Sequence, residues 1–138
     1  MIGITQPRRV AAVSMAARVG QELSLPTSKV SYQIRYDATT APTTSIKFMT
    51  DGVLLREMAT DFLLSKYSVV IVDEAHERSL NTDILIGTLS RVIKVREKLW
   101  LEGKPEAKVS SFLDLELHIN SVSIASTFDC HVSNPADN

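Results

Sequence analysis

The chain has 138 residues, a net charge of −1, one cysteine and five residues each of glycine and proline. That length allows one domain with a real core, and the near-neutral charge excludes a global basic field that would pull the whole chain onto nucleic acid. A single Cys130 excludes an internal disulfide and fits a reducing compartment; no apolar run reaches membrane-spanning length, and the first residues lack the layout of a signal peptide.

In chain order, Ile2 to Thr5 reads as a strand end, stopped at Pro7. Val10 to Leu23 is Ala-rich, with Val13, Ala16, Ala17 and Leu23 on one helical face, and Pro26 ends it. Val30 to Ile34 is a short strand, Asp37 to Thr44 a polar loop, and Ile46 to Met49 another strand. Asp51 is placed to N-cap a helix carrying Val53, Leu54, Met58 and Phe62. The apolar run Val69 to Val72 predicts a strand buried on both faces. Asn81 or Thr82 then caps a helix through about Arg96, with Leu85, Leu89 and Val92 inward and Arg91, Lys94 and Arg96 at its negative C-terminal end. Strands separated by helices imply a mainly parallel sheet flanked by helices, an α/β fold. Glu102 to Lys108 reads as a linker. Leu113, Leu115, Leu117 and Ile119 alternate with polar residues, as in a strand with one wet face, and a bulge near Ser121 would let the pattern run on to Ile124.

Chemistry concentrates where the Val69 to Val72 strand ends in Asp73-Glu74-Ala75-His76-Glu77-Arg78. Open α/β sheets place ligands at the C-terminal ends of their strands. Two adjacent carboxylates there suit a magnesium–nucleotide complex and the water that attacks it. Taken alone, an Asp-Glu pair is an ordinary strand end, a loop histidine bonds a backbone carbonyl, and two adjacent arginines are a solvated surface pair.

Four strings in series change that reading. Thr5-Gln6-Pro7-Arg8-Arg9-Val10-Ala11-Ala12, Ser31-Tyr32-Gln33-Ile34-Arg35-Tyr36, Thr50-Asp51-Gly52 and Asp73-Glu74-Ala75-His76 resemble, in order and spacing, the first RecA-like (P-loop NTPase type) domain of a DEAH-box RNA helicase. The resemblance covers roughly residues 2 to 98. It implies ATP and Mg2+ as cofactors, with Asp73 holding the metal through water, Glu74 orienting and deprotonating the attacking water, and His76 passing nucleotide state onward. It implies contact with the backbone of single-stranded RNA through Thr5, Arg8, Arg9, Thr50, Asp51 and Gly52, without reading of bases. Glu77 and Arg78 are expected in a structural ion pair or cap, Arg35 leans structural, and Tyr32 and Tyr36 are expected to pack. The stretches at 61–64 and 83–87 resemble the nucleolar subgroup that works on ribosomal RNA precursors, which implies a nuclear, nucleolar protein in ribosome biogenesis, an activating protein partner for the parent helicase, and no membrane.

The pattern also departs from the family. A Gly-x-x-Gly-x-Gly-Lys-Thr loop is expected ahead of Thr5, where only Met1 to Ile4 stand. Ser-Ala-Thr is expected after the last helix, and Ala125-Ser126-Thr127 has the wrong order. The expectation is a partial helicase domain over 1–101, truncated at the N-terminus, with an atypical tail over 102–138 that is partly disordered and holds one possible strand. Loss of neighbouring strands would bare an edge of Val69 to Val72. The competing reading is a catalytically inactive product with weak single-stranded RNA binding.

Overall fold

The computed structural model describes residues 1–103. The order is β1 (Ile2–Gln6), α1 (Arg9–Glu22), β2 (Val30–Ile34), β3 (Asp37–Ala38), β4 (Ile46–Thr50), α2 (Asp51–Thr60), β5 (Val69–Val72), a 3₁₀ turn (Ala75–Glu77) and α3 (Leu80–Leu101). The sheet runs β3-β2-β4-β1-β5, with β2–β4, β4–β1 and β1–β5 parallel and β2–β3 antiparallel. It is therefore mixed, an α/β arrangement compatible with part of a RecA-like domain.

Alternation along β4 builds two cores. Phe48 faces Ala12 and Ala16 of α1 with Val30, and small alanines let that helix lie close to the sheet. Met49 faces the other way, into Val53, Leu54 and Met58 of α2 and Leu85, Leu89 and Val92 of α3, together with Tyr67, Val70 and Val72. Every residue expected on the inner face of α3 is there. Gly3 lets the Tyr67 ring approach β1, since a Cβ at Gly3 would lie 2.8 Å from that ring.

Beneath this second core sits a buried polar cluster. Lys47 Nζ donates to Glu57 Oε1 at 2.6 Å and to the Tyr67 hydroxyl at 3.2 Å, and Tyr67 donates to Glu57 Oε2. Burial pulls the Lys47 ammonium below its ordinary value, against the opposing pull of Glu57. Burial also pushes the Tyr67 hydroxyl up, and its bond to Glu57 adds to that.

Several expectations change. Ala16 is buried as expected, but Ala17 and Leu23 face solvent, because the α1 stripe pairs Ala16 with Ala12. The segment expected as loop from Asp37 holds β3, whose short pairing with β2 closes a hairpin. Asp51 lies inside α2 and Thr50 is its N-cap, without a side-chain bond. Phe62 follows the helix and is exposed. The β5 strand is buried on one face only, Val70 and Val72 inward and Val69 and Ile71 half-buried; among the described residues it pairs with β1 alone. Ser79 rather than Asn81 or Thr82 caps α3, accepting the Thr82 amide, and the helix continues to Leu101. Arg96 turns inward and donates to the Tyr67 carbonyl at 3.3 Å instead of sitting in solvent at the helix end. Tyr36 is 82% exposed rather than packed, with the Arg35 guanidinium 5.0 Å over its ring. The expected strand between residues 112 and 124 lies outside the described residues.

Candidate functional site

The parallel strands β1, β4 and β5 all end on one side of the sheet, where Gln6 pairs in register with Thr50 and Thr5 with Val72. This places the chain after β5 against the end of β1. Asp73 donates its amide to the Thr5 carbonyl at 3.2 Å. Its Oδ2 accepts from Gln6 Nε2 at 2.5 Å, and its Oδ1 accepts the Glu74 amide at 2.8 Å. The carboxylate is thus held in one orientation by both neighbouring segments, with lone pairs to spare.

Glu74 then turns the chain sharply, in the left-handed region at φ 55°, and Arg78 closes the 3₁₀ turn in the same region at φ 50°. Non-glycine residues there store strain, and such positions gather at functional turns. The turn brings His76 Nε2 within 3.1 Å of Glu74 Oε2, both side chains being open to solvent. Glu77 pairs with Arg8 at 2.9 Å and Arg78 with Asp83 at 2.8 Å, the structural ion pairs expected of them. Hydrogen bonding from Arg78 holds the Asp83 carboxyl below its ordinary value.

Beside this turn lies a groove of about 290 Å3, whose wall includes Pro7, Arg9, Arg35, Thr50, Gly52 and Arg56. Asp51, Val53, Ser79 and Asn81 complete it, so the starts of both α2 and α3 border the space. Helix starts offer free amides and a positive dipole end to anions. Among the described residues Arg9, Arg35 and Arg56 have no carboxylate partner, whereas Arg8, Arg18 and Arg78 each hold one. Three unpaired guanidinium groups around one concavity repel each other unless an anion joins them. Such a groove suits phosphate oxygens.

The expected RNA-contacting residues separate into three groups. Arg9, Thr50 and Gly52 border the groove. Arg8 is exposed but turned to Glu77. Thr5 is completely buried, and Asp51, though it borders the groove, is nearly so, and neither presents its side chain to a ligand. Arg35, read as structural, belongs to the groove wall. Arg56 was not singled out in the sequence, and Asn81 only as a helix cap; Arg56 stands one helical turn after Gly52 on the solvent side of α2, which is the signal that marks it.

Among the described residues no group of three or more His, Cys, Asp or Glu side chains is gathered to hold a metal. Mg2+ beside a nucleotide takes one or two carboxylates plus phosphate oxygens, and the fixed Asp73 oxygens fit that donor set.

No family model matches the chain. Curated relatives do. The chain is 64% identical over 105 residues to "Probable ATP-dependent RNA helicase kurz" of Drosophila melanogaster, covering 76% of this chain and 9% of that protein. It is 64% identical over 108 residues to "Probable ATP-dependent RNA helicase DHR1" of Saccharomyces cerevisiae, covering 78% and 8%. Against "ATP-dependent RNA helicase DEAH13" of Arabidopsis thaliana it is 52% identical over 125 residues, covering 90% and 10%. The chain belongs to the DEAH-box family of ATP-dependent RNA helicases. It spans a tenth or less of the length of these relatives.

Proposed function

We propose that this chain is the part of a helicase's first RecA-like domain in which nucleotide chemistry meets the RNA backbone. The observation that carries the reading is the bond from Gln6 to Asp73, which sets the acidic turn against the strand end that leads into Arg8 and Arg9. Asp73 would hold Mg2+ through water, and the metal would neutralise phosphate charge when bound. Glu74 accepts the proton of the attacking water, with His76 close enough to fix its carboxylate by a hydrogen bond. The groove grips successive phosphates of single-stranded RNA through Arg9, Arg35 and Arg56 and the amides at Gly52, with no base readout.

ATP turnover and RNA remodelling are proposed for the whole helicase. The 138 residues contain no Gly-Lys-Thr string, and no turnover is expected of them alone. A nuclear role in processing ribosomal RNA precursors, with an activating protein partner, rests on the subgroup resemblance at 61–64 and 83–87. The test is anisotropy of a fluorescent oligouridylate titrated with the chain at several salt concentrations. Salt-sensitive binding, weakened by Arg9→Ala with Arg56→Ala, supports the groove. Equal affinity of the wild-type chain and that double variant overturns it.

A further inference from the structure

Beside the Gln6–Asp73 bond and the exposed Arg78–Asp83 pair, two polar links join the acidic turn to the elements that wall the groove. One is the exposed Arg8–Glu77 pair, which solvent screens. The other is buried. Thr82 Oγ1, fully inaccessible, donates to Asp51 Oδ2 at 2.5 Å, and Ser79 Oγ lies 2.6 Å from Thr82 Oγ1 while accepting the Thr82 amide at 3.1 Å. A threonine hydroxyl has one proton, and that of Thr82 points to Asp51, so the Ser79 hydroxyl donates to Thr82. The result is a directed chain, Ser79 to Thr82 to Asp51, from the start of α3 to the start of α2.

Its two ends matter. Asp51 Oδ1 has no hydrogen-bond partner among the described residues, so Thr82 alone orients that buried carboxylate. Asp51 sits in the first turn of α2, between Thr50 and Gly52 of the groove wall. At the other end, Ser79 follows Arg78 directly, the second of the two left-handed residues that bracket the turn carrying Glu74 and His76. A strained turn between two fixed ends is the kind of element that has a second arrangement close in free energy.

We propose that Thr82 is a positioning residue that couples occupancy of the groove by RNA phosphate to the conformation of the Glu74–Ser79 turn; the proposal rests on the groove reading above. An anion arriving at the α2 start repels the Asp51 carboxylate and competes for the same amide field. Asp51 has no second hydrogen bond to fall back on, so the Thr82 bond takes the strain. Thr82 is the third residue of α3, and its amide is what the Ser79 cap holds. Movement there loosens the cap and, through Ser79, the turn that aims Glu74. The link is reciprocal, so a rearranged turn changes the groove in return.

The experiment is nitrogen-15 NMR of the full 138-residue chain titrated with single-stranded oligouridylate. In the wild-type chain the amides of both Gly52–Leu55 and Glu74–Ser79 shift together. Thr82→Val keeps binding and the Gly52–Leu55 shifts but loses those at Glu74–Ser79, and Thr82→Ser restores them. Binding with Glu74–Ser79 unmoved in the wild type overturns the coupling and leaves the groove standing, as does a Thr82→Val chain whose turn still responds. Should Thr82→Val fail to fold, the wild-type pattern and Thr82→Ser decide. Absence of any RNA binding overturns the groove reading and this inference with it.

Discussion

Lys47→Met would remove the cation from the buried cluster that ties β4 to α2 and so sets the groove wall. The Lys47 and Glu57 side chains are 4% and 15% exposed, which makes the pair a buried one. Removing one member of a buried pair costs about 3–5 kcal/mol, because the other charge is left uncompensated. Glu57 keeps Lys66 Nζ at 3.3 Å and the Tyr67 hydroxyl, so the lower end of that range, about 3 kcal/mol, is expected. At roughly 4–8 °C per kcal/mol for a unit of this size, the melting temperature should fall by more than about 10 °C. Lys47→Met with Glu57→Leu should melt above Lys47→Met alone, since an apolar replacement of both charges removes the desolvation cost as well. Differential scanning calorimetry of the single and double variants measures both numbers. A Lys47→Met chain melting within about 2 °C of wild type, or a double variant less stable than the single, would refute the reasoning.

The same cluster sets an acid limit. Burial pushes the Glu57 carboxyl up, but hydrogen bonds from Lys47 and Tyr67 and the charges of Lys47 and Lys66 outweigh it and hold it below 4.5. A depressed folded value means the stabilisation is complete above pH 4.5 and is lost as pH falls through the folded value; urea titrations should show Glu57→Gln flattening that acid loss. Gly3→Ala drives a Cβ to 2.8 Å from the Tyr67 ring and should cost about 1–3 kcal/mol by chemical denaturation, whereas an unchanged midpoint would mean the ring yields freely. Glu74→Gly relieves the left-handed strain at φ 55° and should raise stability by about 1 kcal/mol while abolishing RNA-stimulated turnover in the whole helicase. Glu77→Gln breaks an ion pair whose arginine side chain is 74% exposed, so its effect on melting should stay under about 1 kcal/mol.

Periodicity and local chemistry made much of this fold readable. The 3.6-residue spacing of Leu85, Leu89 and Val92 required one helical face, and that face is buried, whereas the β-branched run of β5 pointed to two buried faces and only that of Val70 and Val72 is. The order of the four motif strings fixed which strand ends would meet, and Asp73 does meet the Thr5–Gln6 end of β1. What stayed hidden depends on contacts across long sequence separations. Nothing near Arg96 says that the Tyr67 carbonyl waits for it 29 residues away, so a helix-end cation looked solvated. Asp51 at a helix start looks like a cap; only the arrival of Thr82 from 31 residues on turns its side chain inward. Arg35 read as structural and nothing marked Arg56, until the β2–β3 hairpin and α2 bring both around one groove.

The proposed groove would let a chain of net charge −1 offer a site for a polyanion. The compensating acids are spent elsewhere: Glu22 on Arg18, Glu77 on Arg8, Asp83 on Arg78 and Glu57 on Lys47. Asp51, the one carboxylate bordering the groove among the described residues, is sealed against Thr82 and offers no exposed oxygen to the arginines. Local field, not total charge, then governs association, and each phosphate neutralised contributes a slope of about −0.7 in log affinity against log salt for a single strand. Arg9, Arg35 and Arg56 together predict a slope near about −2, and Arg56→Ala should reduce its magnitude by roughly 0.7. A slope that Arg56→Ala leaves untouched would move the phosphate grip to some other face of the molecule.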